Sequence, residues 1–383
     1  MFPTSDGESV IGPRADKVVV WAGSSGADCE AEELIVSEAI RKNFASDNTA
    51  PACPEVMAAL IGANGGPAAS YGEDDETARL EARFREIFGT DLLCFPVTTG
   101  TAANALALSA LVPPYGAVLC DQSAHIACDE AGAPEFFTHG AKLLPLPSAD
   151  GRITPDALRE AIAANRAGGV HASPARAVSL TQTTEWGTVY PLAQVAALAA
   201  IAHEAGLAVH MDGARFANAV AHLGCTAAEA SWHAGIDVLS FGGTKNGAMA
   251  AEAVLFFDTA RAEDFLRRVK RSGHLWSKQR FLSAQLLALL EADLWLRHGR
   301  QANAMAQRLA HGLRRLPGAI LPFPVESNEV FVVLPEAVVS RLETSGFVFH
   351  RWPTPPGVNG VLIRLVTHYA TEQADVDGFL GAL

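Results

Sequence analysis

The chain has 383 residues, of which 49% are hydrophobic and 19% are charged. Such a chain can bury a sizeable core, so its composition excludes wholesale disorder, and its length suggests two or three structural units. The formal net charge is −13. Because a surface of that charge repels phosphate backbones and anionic lipids, the composition disfavours nucleic acid and membranes as partners.

Six cysteines occur in the chain, and none of them forms a CxxC pair or a His/Cys cluster with the spacing of a zinc site. We therefore expect reduced thiols and no metal. The N-terminus lacks a basic region followed by an apolar one, and there is no run of about 18 apolar residues that would span a membrane. These features predict a cytoplasmic protein.

Residues 1–42 are rich in Gly, Ser and Asp around GSSGADCEAEE, and we interpret them as a partly flexible N-terminal extension. From about residue 75 to 258, strand-like runs alternate with helix-like ones. The strand-like runs are LLCFPV (92–97), AVLCD (117–121), KLLPLP (142–147), AVSLTQ (177–182), LAVHMD (207–212), VLSFGG (238–243) and AVLFF (253–257). This alternation predicts an α/β fold with a mostly parallel sheet and helices on both faces.

Helix boundaries can be recognised between these strands. Thr154 is suited to cap a helix that has Pro155 in its first position. A second helix, PLAQVAALAAIAHEAG (191–206), can end at Gly206. Beyond about residue 259, two or three helical stretches precede the strand-like runs FVVL, FVFHRW and VLIRLVT. We therefore predict a large domain over 43–290 and a smaller C-terminal α+β domain over 291–383.

Lys245 lies in SFGGTKNG, directly after a predicted strand and close to Gly242, Gly243 and Gly247. Glycines lack a Cβ and let a ligand approach the lysine closely, and ligands of α/β sheets bind at the carboxyl ends of strands. A surface lysine in a turn is the alternative. The position of Asp212 favours the ligand site.

Asp212 ends the preceding strand, in VHMDGAR, and the distance to Lys245 leaves room for one helix and one strand. The two residues should therefore face one crevice. A carboxylate there can keep a pyridine nitrogen protonated, which makes the ring an electron sink. Capping of the next turn through Gly213 is the alternative role.

A possible phosphate site follows the strand LLCFPV. Thr99, Gly100 and Thr101 open a helix there, so their backbone N–H groups and hydroxyls can bind an anion, although a capped helix start is also common without a ligand. We interpret Asn104, one turn further on, as a support for this loop.

His125 follows the strand AVLCD and therefore faces the same crevice. A planar ring at this position could stack on a planar cofactor and exchange protons near neutral pH. A structural histidine is the alternative. We interpret the neighbouring Glu130 and Glu135 as ordinary helix carboxylates.

Arg215 and Arg364 are the candidate anion-binding residues. Arg215 follows Asp212 closely, and Arg364 interrupts the apolar strand VLIRLVT, where an unpaired charge would be costly. A bidentate clamp on a substrate carboxylate would satisfy Arg364, and a buried ion pair would do so equally well.

The ordered set GTAAN, SAHI, HMDGAR and GGTKNG resembles the threonine aldolase branch of the aspartate-aminotransferase-like superfamily (fold type I), over about residues 43–383. SDN at Ser46–Asn48 and YGEDDET at 71–77 resemble the same branch. GGTKNG, HMDGARF and GAPEFF look like the low-specificity L-threonine and L-phenylserine aldolase subgroup. What this resemblance implies is an enzyme that uses pyridoxal 5'-phosphate.

The resemblance also implies a role for each matching residue. Lys245 would bind the cofactor covalently, Asp212 would pair with its ring nitrogen, and His125 would stack on the ring. Gly100 and Thr101 would bind the phosphate, and Lys278 would reach a phosphate from a neighbouring subunit. Arg215 would contact the cofactor hydroxyl and the substrate carboxylate. Ser46 and Arg364 would complete the carboxylate site, and Tyr71 would line a shared site.

Two segments depart from the family pattern. Residues 1–42 have no recognisable counterpart, and TQTTEWG (181–187) replaces a stretch with Asn and His that is typical of the commoner form. Polar contacts from Gln182 or Thr184 therefore stay open. This leaves substrate preference less defined than reaction type.

The implied reaction is retro-aldol cleavage of an L-β-hydroxy amino acid to glycine and an aldehyde, with His125 helping, directly or through water, to remove the β-hydroxyl proton. The implied substrates are L-threonine, L-allo-threonine and L-phenylserine. The alternatives are another fold-type-I pyridoxal-phosphate enzyme, such as a β-eliminating lyase or an aminotransferase, and a non-catalytic binding homologue. The presence of Lys245, Asp212 and Arg364 argues against the last.

The resemblance further implies a homo-oligomer, a dimer or a tetramer, since fold-type-I sites are built at subunit interfaces. The run HLWSKQRFLSAQLLALLEADLWL (274–296) is apolar on more than one helical face, which is more than a single core-facing stripe requires. A helix buried within the protomer is the alternative.

Overall fold

The computed structural model describes residues 42–354 and 357–383. The predicted N-terminal extension therefore lies outside the described residues, apart from Lys42 at its end. Within the described ranges, none of the helices is long and apolar enough to cross a membrane. The same ranges contain no group of three or more His, Cys, Asp or Glu side chains that could hold a metal ion.

A seven-stranded sheet forms the centre of the larger part of the chain. Its strands are β1 (Leu93–Val97), β2 (Ala117–Asp121), β3 (Lys142–Leu146), β4 (Ala175–Thr181), β5 (Ala208–Gly213), β6 (Val238–Phe241) and β7 (Glu252–Phe256). Their order across the sheet is β1-β7-β6-β5-β4-β2-β3. The pairs among β2 to β6 are parallel, whereas β7 runs antiparallel to both of its neighbours. The sheet is thus mostly parallel, as the sequence predicts.

Successive residues of these strands face opposite sides of the sheet, and both sides are buried. Leu119 packs in one hydrophobic core, and its neighbours Val118 and Cys120 pack in a second one. Phe84 contributes to the first core and Leu106 to the second, each from a helix. Coverage on both faces explains the near-continuous apolar runs of the strands, because neither face of such a strand meets water.

Helices connect and cover the strands. They are α1 (Pro54–Ala63), α2 (Asp75–Phe88), α3 (Gly100–Leu111), α4 (His125–Cys128), α5 (Ala133–Phe137), α6 (Pro155–Ala167), α7 (Leu192–Glu204), α8 (Phe216–Leu223), α9 (Phe265–Arg271) and α10 (Arg280–Leu290). As predicted, the Thr154 side chain caps α6 by accepting from the Ala157 N–H, and Pro155 is its first residue. Gly206 follows α7 with φ of 75°, a left-handed conformation suited to glycine.

A smaller antiparallel sheet, ordered β8-β10-β9, forms the C-terminal part. Its elements are α11 (Leu294–Leu313), β8 (Glu329–Leu334), α12 (Glu336–Thr344), β9 (His350–Trp352), β10 (Val361–Val366) and α13 (Gln373–Gly381). A separate core that includes Leu309 and Val332 lies here. Of the predicted strand FVFHRW only the last three residues form β9. The Phe347 N–H still bonds to Leu342 of α12, and Val348 bonds instead to Lys42 and Phe44. The boundary near residue 290 stays a prediction.

The segment before α1 joins the two sheets. Phe44 is buried in the C-terminal core. Its N–H donates to the Val348 carbonyl, and its own carbonyl accepts from the Val366 N–H. Shortly afterwards, Asp47 bonds to Arg215, which follows β5. The segment therefore carries Asp47 to the edge of the large sheet.

The predicted helical stretch over 274–296 is interrupted. Residues 274–279 are irregular, because the Gln279 side chain accepts from the Trp276 N–H and donates to the Pro96 carbonyl. The helix α10 begins only at Arg280, and it buries Leu282, Leu286, Leu289 and Leu290 within the protomer. Its apolar character is thus explained by the alternative interpretation, burial inside the chain, and lends no support to an interface.

Candidate active site

A cavity of about 320 Å³ opens at the edge of the large sheet where the parallel strands end. Its lining comes from Thr98–Thr101 after β1, Asn104 of α3, His125 after β2, Thr181, Thr183 and Glu185 at the end of β4, Asp212, Ala214 and Arg215 at the end of β5, Thr244 and Lys245 after β6, and Asn48 and Glu252. Six residues predicted for the site therefore share one cavity: Lys245, Asp212, His125, Gly100, Thr101 and Arg215. This convergence follows from the rule that parallel strands place their carboxyl ends at one edge.

Lys245 lies in a single 3₁₀ turn, Thr244–Asn246, soon after β6. The turn is held from the side of α11: the Asn246 side chain donates to the Trp295 carbonyl at 3.0 Å, and the Asn246 carbonyl lies 2.7 Å from His298 Nδ1. Among the described residues, no group forms a hydrogen bond or ion pair with the Lys245 ammonium. A fixed backbone and an unpartnered amine make Lys245 available to a ligand in the cavity.

The glycines near this turn serve backbone packing. A Cβ on Gly242 would lie 2.3 Å from the Ala214 carbonyl oxygen, and one on Gly243 would lie 2.3 Å from that of Ala251. Gly247 has φ of 109°, which L side chains rarely adopt. The expectation that these glycines clear space for a ligand is therefore corrected: neighbouring backbone fills the space at Gly242 and Gly243, and the positive φ accounts for Gly247.

Asp212 ends β5 beside Thr181 of β4 and Ser240 of β6. Its Oδ2 accepts from Asn104 Nδ2 at 2.8 Å, and its Oδ1 accepts from the Ala214 N–H at 2.9 Å. One oxygen thus caps the following turn, as the alternative interpretation expects, and the other is held by α3. The two donors fix the plane of the carboxylate in the cavity wall.

His125 begins α4, and its Nδ1 donates to Glu130 Oε1 at 2.9 Å. Contrary to the prediction, Glu130 is not a helix carboxylate: it lies in a bend after α4, its side chain is fully buried, and it also accepts from Asn104. Asn104 thus bonds two carboxylates rather than its own loop. The hydrogen bond to Glu130 raises the pKa of His125, against the opposing effect of burial.

The N-terminus of α3 forms another wall of the cavity. The Thr99 side chain accepts from the Ala102 N–H, and the first N–H groups of the helix, on Gly100 and Thr101, have no partner within it. A Cβ on Gly100 would meet nothing within 4 Å, so an anion can approach the backbone here. The arrangement suits the predicted phosphate.

Arg215 also lines the cavity, but protein carboxylates occupy its guanidinium. Nε and Nη2 donate to Asp47 at 2.7 and 3.1 Å, and Nη1 lies 3.2 Å from Glu329 Oε2. Burial alone would raise the pKa of Asp47, but the charges of Arg215 and Lys245 and the hydrogen bonds lower it to about 2. The predicted contact of Arg215 with a substrate carboxylate stays a prediction beside this ion pair.

Arg364, on β10 of the small sheet, also pairs with Glu329. Its Nη1 lies 3.8 Å from Glu329 Oε1, and Nη2 donates to the Ala45 carbonyl at 3.3 Å. The guanidinium lies over the Trp352 ring, 4.7 Å from its centroid. These are weaker polar contacts than those of Arg215, so Arg364 keeps more capacity for an external anion.

Four predicted residues do not line the cavity: Arg364, Ser46, Tyr71 and Lys278. The Ser46 hydroxyl accepts from the Asn48 N–H, and it thereby caps the turn that brings Asn48 to the cavity. Tyr71 and Lys278 lie together on a different surface, where the Tyr71 N–H donates to the Ser277 carbonyl. A role for Tyr71 or Lys278 at this cavity within one protomer is not supported by their position.

Two carboxylates in the cavity were not singled out from the sequence. Burial raises the pKa of Glu252 to about 7, although hydrogen bonds from Thr244 and the Gly243 N–H oppose it. Burial likewise raises the pKa of Glu185 to about 7, against the charge of Lys245. The departure of TQTTEWG from the family pattern is a signal that could have found Glu185. No comparable signal marks Glu252.

Comparison with known proteins identifies the family. The sequence model of the beta-eliminating lyase family matches residues 43–337. The chain is 47% identical over 335 residues to the low specificity L-threonine aldolase of a Pseudomonas strain, covering 88% of this chain and 95% of that enzyme. It is 48% identical over 309 residues to that of Pseudomonas aeruginosa, covering 81% and 89%. Among solved structures, the threonine aldolase of Leishmania major superposes with a TM-score of 0.83 at 27% identity, covering 88% of this chain and 97% of the other.

The chain belongs to the beta-eliminating lyase family. It is a lyase of the threonine aldolase type, and the resemblance predicted from GTAAN, HMDGAR and GGTKNG is confirmed. The fold-type-I prediction is confirmed by the match to the Leishmania major structure.

Proposed function

We propose that this enzyme cleaves the Cα–Cβ bond of L-β-hydroxy amino acids, among them L-threonine, L-allo-threonine and L-phenylserine, to give glycine and an aldehyde. The observation that carries the proposal is the convergence of Lys245 and Asp212 in one cavity at the carboxyl edge of the sheet. The 47% identity to a low specificity L-threonine aldolase supports it.

Pyridoxal 5'-phosphate fits the groups that the cavity offers. The amine of Lys245 can bind its aldehyde, the carboxylate of Asp212 can pair with its ring nitrogen, and the first N–H groups of α3, on Gly100 and Thr101, can hold its phosphate. His125 lines the same cavity and can lie against the ring. When bound, this cofactor supplies an electron sink for the bond that breaks.

The protein contributes orientation and charge to this chemistry. Asp212, held by Asn104 and the Ala214 N–H, presents a fixed carboxylate that keeps a ring nitrogen protonated. His125 commits Nδ1 to Glu130, which leaves Nε2 to face a ligand. Both side chains are therefore oriented before a ligand binds, so little reorganisation is needed during the reaction.

We assign the substrate carboxylate chiefly to Arg364. Asp47 and Glu329 engage all three nitrogens of Arg215, so we assign to it a supporting role, through its charge and through contact of a remaining N–H group with the cofactor hydroxyl. Arg364 has a long ion pair and a stacked guanidinium, so it can turn to a carboxylate without abandoning a strong bond. Ser46 would complete this end of the site.

We also propose that the enzyme acts as a cytoplasmic homo-oligomer, a dimer or a tetramer. Tyr71 and Lys278 lie outside the cavity of their own protomer, so any contribution from them to a site requires a second copy. Sedimentation of the protein with and without cofactor tests this proposal. A catalytically competent monomer would contradict both the oligomer and the role of Lys278.

Product analysis tests the proposed reaction. Incubation of the purified protein with pyridoxal phosphate and L-threonine or L-phenylserine should yield glycine with acetaldehyde or benzaldehyde. A β-eliminating lyase would instead release ammonia and a keto acid, and an aminotransferase would need an amino acceptor. A binding homologue without bound cofactor would give no product and no visible absorbance.

A further inference from the structure

Glu185 lies in a closed turn after β4. The Thr184 N–H donates to the Thr188 carbonyl at 2.9 Å, and the hydroxyl oxygens of these two threonines lie 2.7 Å apart. The Thr188 hydroxyl also donates to the Asp150 carbonyl at 2.8 Å. The backbone around Glu185 is therefore fixed, although the segment has no regular secondary structure.

The neighbouring Trp186 anchors the turn to the small sheet. Its ring packs against Phe323 and Phe331, with centroids 4.8 and 5.3 Å apart, in a separate apolar cluster. Because this indole is held outside the cavity, the turn cannot withdraw without breaking that cluster. Glu185 thus stays in the cavity wall together with Lys245.

The carboxylate of Glu185 differs from its neighbours in having no partner. Asp212 accepts from Asn104, and Glu252 accepts from the Gly243 N–H. Throughout residues 42–354 and 357–383, no group donates a hydrogen bond to Glu185 or pairs with it. A partly buried carboxylate without a partner is unfavourable. The fold does not offset this cost, so a ligand in the cavity is the group that would use Glu185.

We infer that Glu185 is the base that takes the β-hydroxyl proton of the substrate, an inference that rests on the proposed cleavage. The O–H bond breaks as its proton moves to a carboxylate oxygen of Glu185, and the O–H electron pair forms the C=O bond of the aldehyde. Pyridoxal phosphate, held by Lys245 and Asp212, would supply the electron sink for the pair of the Cα–Cβ bond. A proton delivered to Cα completes glycine, and loss of the accepted proton regenerates the Glu185 carboxylate.

The ionisation of Glu185 suits this role. Burial raises its pKa to about 7; among the charges that face it, Lys245 and Arg215 lower the pKa, and Glu329 and Asp212 raise it. A general base is most effective when its pKa lies near the working pH. Glu185 can therefore accept a proton in one step and lose it again before the next.

His125 is less suited to accept the proton. Its hydrogen bond to Glu130 raises its pKa and favours the protonated ring. One ring nitrogen of His125 is thereby committed to Glu130, whereas no group among the described residues donates to the Glu185 carboxylate. We therefore assign different roles to the two residues: His125 stacks on the cofactor ring and orients the substrate, and Glu185 accepts the β-hydroxyl proton.

The substitution Glu185→Gln tests the inference by removing the charge and keeping the shape. We expect kcat for L-threonine cleavage to fall on the order of 10²–10⁴-fold, with KM changed far less, and Glu185→Asp to restore part of the rate. Glycine has no β-hydroxyl, so exchange of its α-proton with deuterated water should continue in E185Q. Glu160→Gln, an exposed carboxylate on α6, is the control and should leave both rates unchanged.

Stability of the cofactor-free protein gives a second readout. The folded-state pKa of Glu185 is raised to about 7 from its ordinary 4.5, so the unfolded chain loses this proton first as the pH rises. The free energy of unfolding of the wild type therefore falls as the pH rises from 4.5 to about 7. E185Q should have a higher Tm than the wild type above about pH 7, and the difference should vanish below about pH 4.5. A merely structural Glu185 would give the reverse sign.

The outcomes separate this inference from the proposed function. Cleavage by E185Q within about tenfold of the wild-type rate would overturn the inference alone. Equal loss of cleavage and glycine exchange, with a lower Tm, would also overturn it, because the residue would then hold the fold. If the wild type cleaves no β-hydroxy amino acid, the proposed function fails and the inference fails with it.

Discussion

Asn104 and Asp212 are joined by a hydrogen bond of 2.8 Å between Nδ2 and Oδ2. The same nitrogen donates to Glu130 Oε1 at 2.9 Å, and Glu130 in turn accepts from His125. One buried amide therefore connects the carboxylate proposed for the ring nitrogen with the histidine proposed to lie against the ring. The orientation of both side chains depends on Asn104.

Asn104→Ala should weaken both the fold and the cofactor site. The change leaves two buried carboxylates without this donor, and we expect the free energy of unfolding to fall by about 1–3 kcal/mol. Affinity for pyridoxal phosphate should fall as well. Urea unfolding and spectroscopic titration with cofactor measure the two effects.

A matched control is Asn303→Ala, because Asn303 bonds to Asn218 outside the cavity. This variant should lose stability and keep its affinity for the cofactor. Unchanged cofactor affinity in Asn104→Ala would contradict the proposed connection.

Lys245→Ala should abolish the visible absorbance of lysine-bound cofactor and the trapping of cofactor by borohydride. The reason is that the turn Thr244–Asn246 brings this amine, without a partner, into the cavity. Lys142→Ala, an exposed lysine at the start of β3, should keep both properties. A reducible adduct at full stoichiometry in Lys245→Ala would show that another amine holds the cofactor.

Asp47→Asn should destabilise the protein in a pH-dependent way. Removal of one partner of a buried ion pair costs about 3–5 kcal/mol. The pKa of Asp47 is lowered to about 2 from its ordinary 3.8, so its contribution is present above the unfolded-state value and is lost as the pH falls through about 2. The difference in unfolding free energy between wild type and variant should be full at neutral pH and should shrink between 3.8 and about 2.

The control for Asp47 is Asp156→Asn. Asp156 pairs with Arg159 at an exposed site on α6, so its loss should cost no more than about 1 kcal/mol. A difference for Asp47→Asn that does not vary with pH would mean that packing, and not the charge, accounts for the effect.

Arg364→Ala should weaken amino-acid binding and leave the cofactor spectrum nearly intact. Loss of a desolvated carboxylate contact should cost about 2–5 kcal/mol in the binding of glycine, measured by titration. Arg351→Ala is the matched control, because Arg351 lies on β9 and pairs with exposed carboxylates. If Arg364→Ala fails to fold, the main role of Arg364 is instead structural, through its ion pair with Glu329.

The central sheet could be predicted because its signal is local. Each parallel strand is an apolar run bounded by turn residues, and the observed strands differ from the predicted runs by only a residue or two at their ends. The rule that ligands bind at strand ends then brings Lys245, Asp212 and His125 together without any knowledge of side-chain contacts.

The polar network could not be predicted in this way. Asp47, Arg215 and Glu329 come from three distant segments, and no spacing in the sequence indicates that they meet. Glu130 follows a helix of one turn, so its burial beside Asn104 depends on how two helices pack. The orientation of Glu185 depends on a turn closed by side-chain hydroxyls.

The segment that contains Phe44 and Asp47 has a consequence for protein engineering. Asn43 and Phe44 are bonded to the small sheet through Val348 and Val366, and Asp47 reaches the wall of the cavity at Arg215. A deletion that extends past Asn43 would therefore loosen the small sheet and withdraw the carboxylate from Arg215 at the same time. The Lys42 carbonyl also accepts from the Val348 N–H, so trimmed variants should stop before Lys42, and a fusion partner should be attached there or at the other end of the chain.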